Sequence, residues 1–424
     1  MTSNNNFIKF MLDVKDKNIL FSDDYFYKFI KGKKAKVFNA ELIQPACPHC
    51  GSVDIKHNGH YISNIRYITA NASQPVIIRL SKQRVLCNDC GERSMAKSDL
   101  INKYCCISNI SKRKIISALT EDRSMTSIAR EHNVSVNTVQ RVLASCSHNF
   151  HSDWDSLPKH LAFDEFRGVG RKLHFICIDG EKHKVIKIIQ NRFKKSILKY
   201  FGKYSPQARE SVETVTMDLN CYYPDAVRAC FPNAKVVIDR FHMIQMLNRS
   251  FNSLRVSVMR QLDRTSRQYK LLKGYWKLYL MRYDKLEKTK PKYQWRIKDS
   301  LTQEQIVNEG LDVDDNGVLR NTYEAMQNFS QAMQKHDVQA IKEIIYSKNI
   351  VGKQMHTTLL TFKRNYRGVI NGIDLEYSNG CLEGLNRKIK QIERTAFGCR
   401  NFVNLLKRIH LEENVVTEKD PYSI

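Results

Sequence analysis

Three acidic residues and two cysteine pairs hold most of the chemistry available to this chain. Asp164 sits in the apolar stretch Leu161-Ala-Phe-Asp-Glu-Phe166, and Asp218 closes the stretch Val212-Glu-Thr-Val-Thr-Met-Asp218. Glu383 lies in Ser378-Asn-Gly-Cys-Leu-Glu-Gly-Leu-Asn-Arg-Lys-Ile-Lys-Gln-Ile392. A carboxylate set among Leu, Phe, Val and Ile is costly to bury unless something compensates its charge. Divalent cations do this: Mg²⁺ favours carboxylate oxygens and keeps its waters, and Mn²⁺ shares the preference. Two such ions roughly 4 Å apart can activate a water or a 3′-hydroxyl and stabilise the leaving oxygen of a phosphodiester.

The cysteines form two knuckles, Cys47-Pro-His-Cys50-Gly and Cys87-Asn-Asp-Cys90-Gly. Each brings two thiolates within reach of one ion, and the glycine after each pair permits the tight turn. The 36 residues between the knuckles leave room for a hairpin. Cys47, Cys50, Cys87 and Cys90 are therefore expected to bind a structural Zn²⁺, the competing readings being four unrelated buried cysteines or a redox pair. His49, His57 and His60 are expected to be surface or packing residues, although a histidine can replace a cysteine ligand. A closed tetrahedral site supplies fold rather than catalysis. Arg79, Lys82 and Arg84 on the second strand of the hairpin are candidates to face phosphates.

A second reading module follows. In Met125-Thr-Ser-Ile-Ala-Arg-Glu-His-Asn-Val-Ser-Val-Asn-Thr-Val-Gln-Arg-Val-Leu143, Thr126 can cap a helix whose buried face holds Ile128 and Ala129. His132-Asn133 breaks that helix, and Ser135 can cap a second one with Val139, Val142 and Leu143 inward. Asn137, Thr138, Gln140 and Arg141 then point outward, suited to base edges and phosphates in a major groove. An ordinary helical hairpin or a protein-interaction module is the alternative.

The elements that must position the acids read as a mixed sheet with helices packed on it. Strands are expected at 161–166, 173–179 and 184–190, followed by a helical stretch at 194–211. A strand at 212–218, a helix at 224–230 and a strand at Ala234-Lys-Val-Val-Ile-Asp239 complete the set. Leu382, Leu385, Ile389 and Ile392 recur three or four apart and mark the buried face of a helix that Ser378 or Asn379 can cap. Glu383, Arg387 and Lys390 share another face, which suits a metal ligand flanked by phosphate contacts. For Glu383 alone, an i,i+4 ion pair with Arg387 is the plain alternative.

Composition agrees with a polyanion partner. The chain has 424 residues, enough for two or three domains, and 69 Lys plus Arg against 43 Asp plus Glu give a formal net charge of +26. Neutralising phosphates with such an excess releases counterions. No apolar run approaches the ~18 residues that span a bilayer, and 1–17 has no apolar signal-peptide core, so a reducing cytoplasm is expected. Residues 1–40 read as an irregular or helical arm ending in the solvated basic run Lys31-Gly-Lys-Lys-Ala-Lys36. The stretch 249–350 reads as mostly helical, with Trp276 and Trp295 expected in its core and stacking on DNA as their other possible role.

At this point the chain resembles the ISL-three insertion-sequence transposases of bacteria. The resemblance runs from Cys47 to about His410. It rests on the knuckles, Phe163-Asp-Glu-Phe166, Pro232-Asn-Ala-Lys-Val-Val-Ile-Asp-Arg-Phe-His242, the Ser378–Lys390 stretch, and Ala396-Phe-Gly-Cys-Arg-Asn-Phe402. It implies a ribonuclease-H-like core with a DDE acid set and Mg²⁺, recognition of terminal inverted repeats, and strand transfer into target DNA. It also implies assembly as a homodimer or larger on double-stranded DNA, in the nucleoid-associated cytoplasm, without a membrane. Asp218 is expected as the middle acid, since related transposases carry theirs at the end of the fourth strand. Asp239 is the other candidate, and His242 would be accessory with it. The expected organisation is an arm (1–40), a zinc ribbon (41–104), a helix-turn-helix (105–150), a first catalytic segment (151–248), an all-helical insertion (249–360) and a second catalytic segment with the Glu helix (361–424). A transposase-derived DNA-binding protein without catalysis is the alternative reading.

Overall fold

The computed structural model describes residues 3–30, 32–67, 74–147, 153–219, 222–314, 316–375, 377, 379–396 and 401–413. The chain divides into two compact units, 1–149 with 388–424 and 150–387.

The first unit begins with α1 (Ser3–Leu12), β1 (Ile19–Ile30), β2 (Lys33–Leu42), β3 (Ile55–Tyr67), β4 (Val76–Cys87) and β5 (Arg93–Met95). The strand order is β1-β2-β4-β3 with β5 added to β4, so the expected arm at 1–40 is instead a helix and a long antiparallel hairpin. Sequence patterning hid these strands because Tyr25-Phe-Tyr-Lys-Phe-Ile30 lacks clean alternation of apolar and polar residues. The basic run is part of β2 rather than a free tail; Lys31 lies outside the described residues. Ile19, Leu42, Ile65, Ile78 and Leu80 form the core beneath α1.

Three short helices follow: α2 (Asn109–Leu119), α3 (Met125–Glu131) and α4 (Val136–Ser145). The cap of α3 is Ser124, whose Oγ accepts from the Ser127 amide at 3.1 Å. Thr126, the expected cap, lies inside the first turn, while Ser124 has the extended backbone that a cap requires. His132 ends α3, Asn133 adopts φ 53°, and Ser135 caps α4 by accepting from the Thr138 amide. Ile128, Ala129, Val139, Val142 and Leu143 are buried together.

The second unit is built on a five-stranded mixed sheet. Its elements are β6 (His160–Arg167), β7 (Leu173–Asp179), β8 (Val185–Ile189), α5 (Lys194–Phe201), α6 (Pro206–Glu210), β9 (Thr214–Met217), α7 (Tyr223–Cys230) and β10 (Lys235–Ile238). The order is β10-β9-β6-β7-β8, with β6, β7 and β8 antiparallel and with β9 and β10 parallel to β6. The expected helical stretch 194–211 is two helices, separated where Ser205 caps α6. Phe163, Phe175, Phe201, Tyr223 and Phe231 pack as an aromatic cluster on one face of the sheet.

The helix α8 (Arg240–Gln261) runs unbroken from the sheet into a largely helical region. That region contains α9 (Arg267–Gly274), α10 (Trp276–Leu280), β11 (Lys292–Gln294), β12 (Asp299–Leu301), α11 (Gln303–Leu311), α12 (Val318–Gln334), α13 (Val338–Tyr346) and α14 (Lys353–Arg364). The small β11–β12 hairpin is a departure from the all-helical expectation. Neither tryptophan is core: Trp295, between β11 and β12, is 83% exposed, and Trp276, opening α10, is 43% exposed. A side chain near the tip of a three-residue hairpin has no second layer to pack against. Leu271, Leu272, Tyr279 and Phe329 supply the buried surface instead.

α15 (Tyr366–Asp374) returns the chain to the sheet and lies directly on β10. A Cβ at Gly372 would stand 2.0 Å from the Ile238 carbonyl oxygen, so only glycine allows this approach. α16 (Gly380–Thr395) carries Glu383, and α17 (Phe402–Glu413) follows, its Leu411 joining the core of the three-helix module. Among the described residues no helix is long and apolar enough to cross a membrane.

Candidate functional site

The two strand acids are neighbours. β6 and β9 are parallel, and their last registered pair is Phe163 with Met217. Asp164 and Asp218 are the next residue on each chain, at adjacent positions across roughly 4.8 Å of sheet spacing. Phe163 faces the aromatic core, so the pleat turns Asp164 to the opposite face.

Each acid is held by the surrounding elements. Asp164 Oδ1 accepts from the Glu165 amide at 2.6 Å, and Oδ2 accepts from Asn386 Nδ2 of α16 at 2.6 Å. Burial, then repulsion from Asp218, nevertheless pushes the Asp164 carboxyl up to about 7, with those hydrogen bonds opposing. Burial, then the charges of Asp239 and Glu165, pushes Asp218 up to about 6, opposed by Asn379 and Arg249. Asp218 Oδ2 is 3.3 Å from His242 Nδ1. Burial lowers the pKa of His242, while the charges of Asp239 and Asp164 oppose that shift.

Asp239 occupies a different kind of position. It follows β10, is buried, and caps α8 by accepting from the His242 amide at 3.2 Å. Its other oxygen accepts from the Asn379 amide at 3.1 Å, just before α16. Asn379 Nδ2 in turn donates to the Phe163 carbonyl at 3.2 Å. Arg240 donates from Nε to the Gly372 carbonyl at 2.6 Å and from a terminal nitrogen to the Leu375 carbonyl, tying the end of α15 to the start of α8. The Asp-Arg-Phe-His segment thus joins the sheet to the helices that close over it.

Glu383 is exposed and pairs with Arg387 at 2.6 Å, the plain alternative weighed for it. Leu382, Leu385, Ile389 and Ile392 form the buried face of α16, while Glu383, Arg387 and Lys390 are exposed. Ser378, one of the two expected caps, lies outside the described residues, as do 397–400 of the Ala396–Phe402 motif. The residues that reach the strand acids are Asn379, just before α16, and Asn386, within it, which sequence reasoning did not assign to the site. Their signal was present: with Glu383 they are spaced four and three apart, one helical stripe. Glu165 was also missed; its carboxylate takes Arg192 at 2.7 Å and the Tyr223 hydroxyl at 2.8 Å on the core side of β6.

In the first unit the four knuckle cysteines converge, with all four sulfurs within 4.8 Å of one another. Among the described residues this is the one such group of three or more potential ligands. Cys47 and Cys90 sulfurs are 3.7 Å apart, and Cys50 and Cys87 sulfurs 3.5 Å apart. Tetrahedral thiolates about 2.3 Å from Zn²⁺ would be separated by nearly that much. Gly51 and Gly91 take φ 77° and 70°, and their amides donate to the Cys47 and Cys87 carbonyls, closing each knuckle. Amides of Cys50 and His49 lower the Cys47 thiol to about 6. The Glu92 amide pulls Cys90 down, but burial and the three neighbouring sulfurs push it up to about 12. Four thiols this close cannot all ionise without a cation among them. His57 and His60 are exposed, and His60 contacts Glu41 at 2.9 Å.

On α4, Asn137 and Arg141 are exposed, and Thr138 and Gln140 are partly exposed. The Thr138 hydroxyl lies 2.9 Å from Ser135 Oγ in the cap, so it is held in place.

Comparison with known proteins decides the family. Residues 161–409 match a transposase family domain, 43–90 match the zinc-finger of transposase IS204/IS1001/IS1096/IS1165, and 96–146 match the helix-turn-helix domain of transposase family ISL3. The chain belongs to the ISL3 transposase family. It is 23% identical over 345 residues to the transposase for insertion sequence element IS1001 of Bordetella parapertussis, covering 77% of this chain and 78% of that one. A shorter stretch of 91 residues is 34% identical to a protein of Lactococcus lactis subsp. lactis described as an ATP-dependent protease, covering 22% of this chain and 29% of that one. For this ISL3 transposase, the four-cysteine cluster inside the matched zinc-finger region is a structural zinc site, and the helix-turn-helix implies DNA binding.

Proposed function

We propose that this transposase binds the terminal inverted repeats of its insertion sequence and catalyses Mg²⁺-dependent strand cleavage and transfer on a ribonuclease-H-like core. Asp164, Asp218 and Glu383 act as its acids. The observation that carries this reading is the in-register placement of Asp164 and Asp218 on parallel β6 and β9. The sheet order supports it, with the first acid on the central strand and the second at the end of its parallel neighbour.

The donor set fits a hard cation. Two partly buried carboxylates whose proton affinities are raised by burial and by neighbouring acids are relieved by a bound positive charge. Asp164 and Asp218 would hold Mg²⁺ or Mn²⁺, with Glu383 from the same helical stripe as Asn386. Bound there, the ion supplies Lewis-acid activation of a water or 3′-hydroxyl at the phosphodiester.

The chain's own residues do the rest. Asn386 orients Asp164 through Oδ2, leaving Oδ1 toward the Glu165 amide. His242, 3.3 Å from Asp218, orients that carboxylate. Asp239 positions both α8 and α16 and serves as an accessory residue rather than an ion ligand. Arg387 and Lys390 contact phosphates, and Arg387 exchanges its pairing with Glu383 for the DNA backbone. Asn137, Thr138, Gln140 and Arg141 read the end sequence from α4.

The deciding experiment incubates protein with DNA carrying the gene's own flanking ends and Mg²⁺, then maps new 3′ ends and joined products. Wild type is expected to cleave and join, and Asp164→Asn and Asp218→Asn to bind without cutting. Specific binding with no cleavage by any form would replace this reading with the non-catalytic DNA-binding protein.

A further inference from the structure

The β1–β2 hairpin has two faces of different chemistry. On one, Ala35 and Val37 pack with Ile77 and Ile30 as a small core. On the other, register pairs Tyr27 with Lys36 and Phe29 with Lys34, while Tyr25 stands opposite Phe38. Phe29 is 73% exposed, and Tyr25 and Tyr27 are close to half exposed. Lys36 Nζ lies 3.9 Å from the Tyr25 ring centroid, and Lys34 Nζ lies 4.1 Å from that of Tyr27. Three aromatic rings on one strand therefore run beside two ammonium groups on the other.

From this we infer that the outer face of the β1–β2 hairpin binds unpaired DNA, with Tyr25, Tyr27 and Phe29 as a stacking platform and Lys34 and Lys36 as phosphate contacts. Exposed rings alternating with lysines suit a strand whose bases are free to stack, since every base offers a π-face. Lysine can also read guanine edges in a duplex major groove, but both lysines here lie over tyrosine rings and the face is otherwise aromatic, which favours stacking. The acidic pair Asp23-Asp24 sits mid-strand in β1, at the irregularity between Phe21 and Tyr25, so it borders the aromatic stretch on the side away from the turn. The hairpin also adjoins the helix-turn-helix: Lys33 Nζ donates to Asn133 Oδ1, in the turn between α3 and α4, at 2.7 Å. Lys33 lies on the Ala35–Val37 side of the hairpin, so the helix-turn-helix meets that side and the aromatic face is left open.

The inference takes its context from the reading of the chain as an end-binding transposase, but its test does not depend on it. The full-length protein is titrated with fluorescent oligothymidylate and, separately, with blunt duplex containing the transposon end. Tyr27→Ala and Phe29→Ala are expected to weaken oligothymidylate binding about tenfold each, with duplex affinity, zinc content and melting temperature unchanged. Phe29→Leu, which keeps an apolar side chain but not the ring, is expected to behave like Phe29→Ala. Unchanged oligothymidylate binding in these variants, or an equal loss on duplex, overturns the proposal. Failure of the wild type to prefer its own end duplex would count against end recognition, and the oligothymidylate comparison would still decide the hairpin.

Discussion

Asp239 and Asn379 are 140 positions apart, yet the Asp239 carboxylate accepts the Asn379 amide while its other oxygen caps α8. One buried side chain therefore fixes the start of two helices that carry residues around Asp164 and Asp218. Asp239→Ala removes both acceptors and leaves a buried amide unpaired. A loss of about 2–3 kcal/mol in unfolding free energy is expected, together with reduced strand transfer. Asp239→Asn retains one acceptor oxygen and should recover part of both. Denaturant unfolding and product assays on the two variants check this; an Asp239→Asn protein as stable as wild type but wholly inactive would make Asp239 an ion ligand instead.

The raised proton affinities of Asp164 and Asp218 give a pH dependence of definite sign. An acid whose folded-state pKa lies above its unfolded value binds protons more tightly when folded, so stability falls as pH rises between the two values. For Asp164 the window runs from 3.8 to about 7, and for Asp218 from 3.8 to about 6. Without divalent ions, the melting temperature should drop from pH 5 to pH 8 by more in wild type than in Asp164→Asn. Adding Mg²⁺ at pH 8 should restore it in wild type but not in that variant. Calorimetry at both pH values, with and without Mg²⁺, makes the comparison. Identical pH profiles for the two proteins would sink the idea that these carboxylates strain the apo site.

The zinc cluster is a local test of the first unit. Cys47→Ser with Cys50→Ser leaves two thiolates, too few for a closed site, and metal binding at such centres is coupled to folding. Zinc content should fall by one ion per chain, specific binding to the end duplex should be lost, and the helical region around Phe329 should keep its thermal transition. Retained end binding by the zinc-free variant would contradict the role assigned to this module.

On α4, Arg141→Ala is expected to weaken end binding and to flatten its salt dependence by about one phosphate contact. Asn137→Ala should instead relax discrimination between the end and scrambled duplex, by about 1–3 kcal/mol if it reads a base. Competition titrations over a salt series separate the two outcomes. Equal losses on specific and scrambled DNA for Asn137→Ala would remove it from base recognition.

What sequence alone made legible was local. Both knuckles are five-residue motifs with their glycines in place, Ser135 lies three residues before the amide it caps, and Leu382 to Ile392 display helical spacing. The partnerships that assemble the site are long-range. Nothing near Asp239 announces Asn379, and nothing near Asp164 announces Asn386, 222 positions away. The β1–β2 hairpin escaped because aromatic and lysine residues occupy its exposed face, which erased the alternation that marks a half-buried strand. Trp295 misled for a related reason: a large apolar side chain is usually buried, but the β11–β12 hairpin is too short to cover it.

Glu383 is where the plain and the catalytic readings meet on one residue. Its exposed i,i+4 pair with Arg387 contributes at most about 0.5 kcal/mol to the helix. Glu383→Gln therefore leaves the fold intact under either reading, and stability cannot separate them. Activity can. As an ion ligand, Glu383 is required for cleavage, so Glu383→Gln should cut no ends in Mg²⁺ while binding them as tightly as wild type. Arg387→Ala releases Glu383 without removing it and should leave cleavage measurable, with weaker DNA binding. If Glu383→Gln cleaves at the wild-type rate, the pair with Arg387 is the whole role of this carboxylate, and the third acid must be sought elsewhere on the face that Asn379 and Asn386 share.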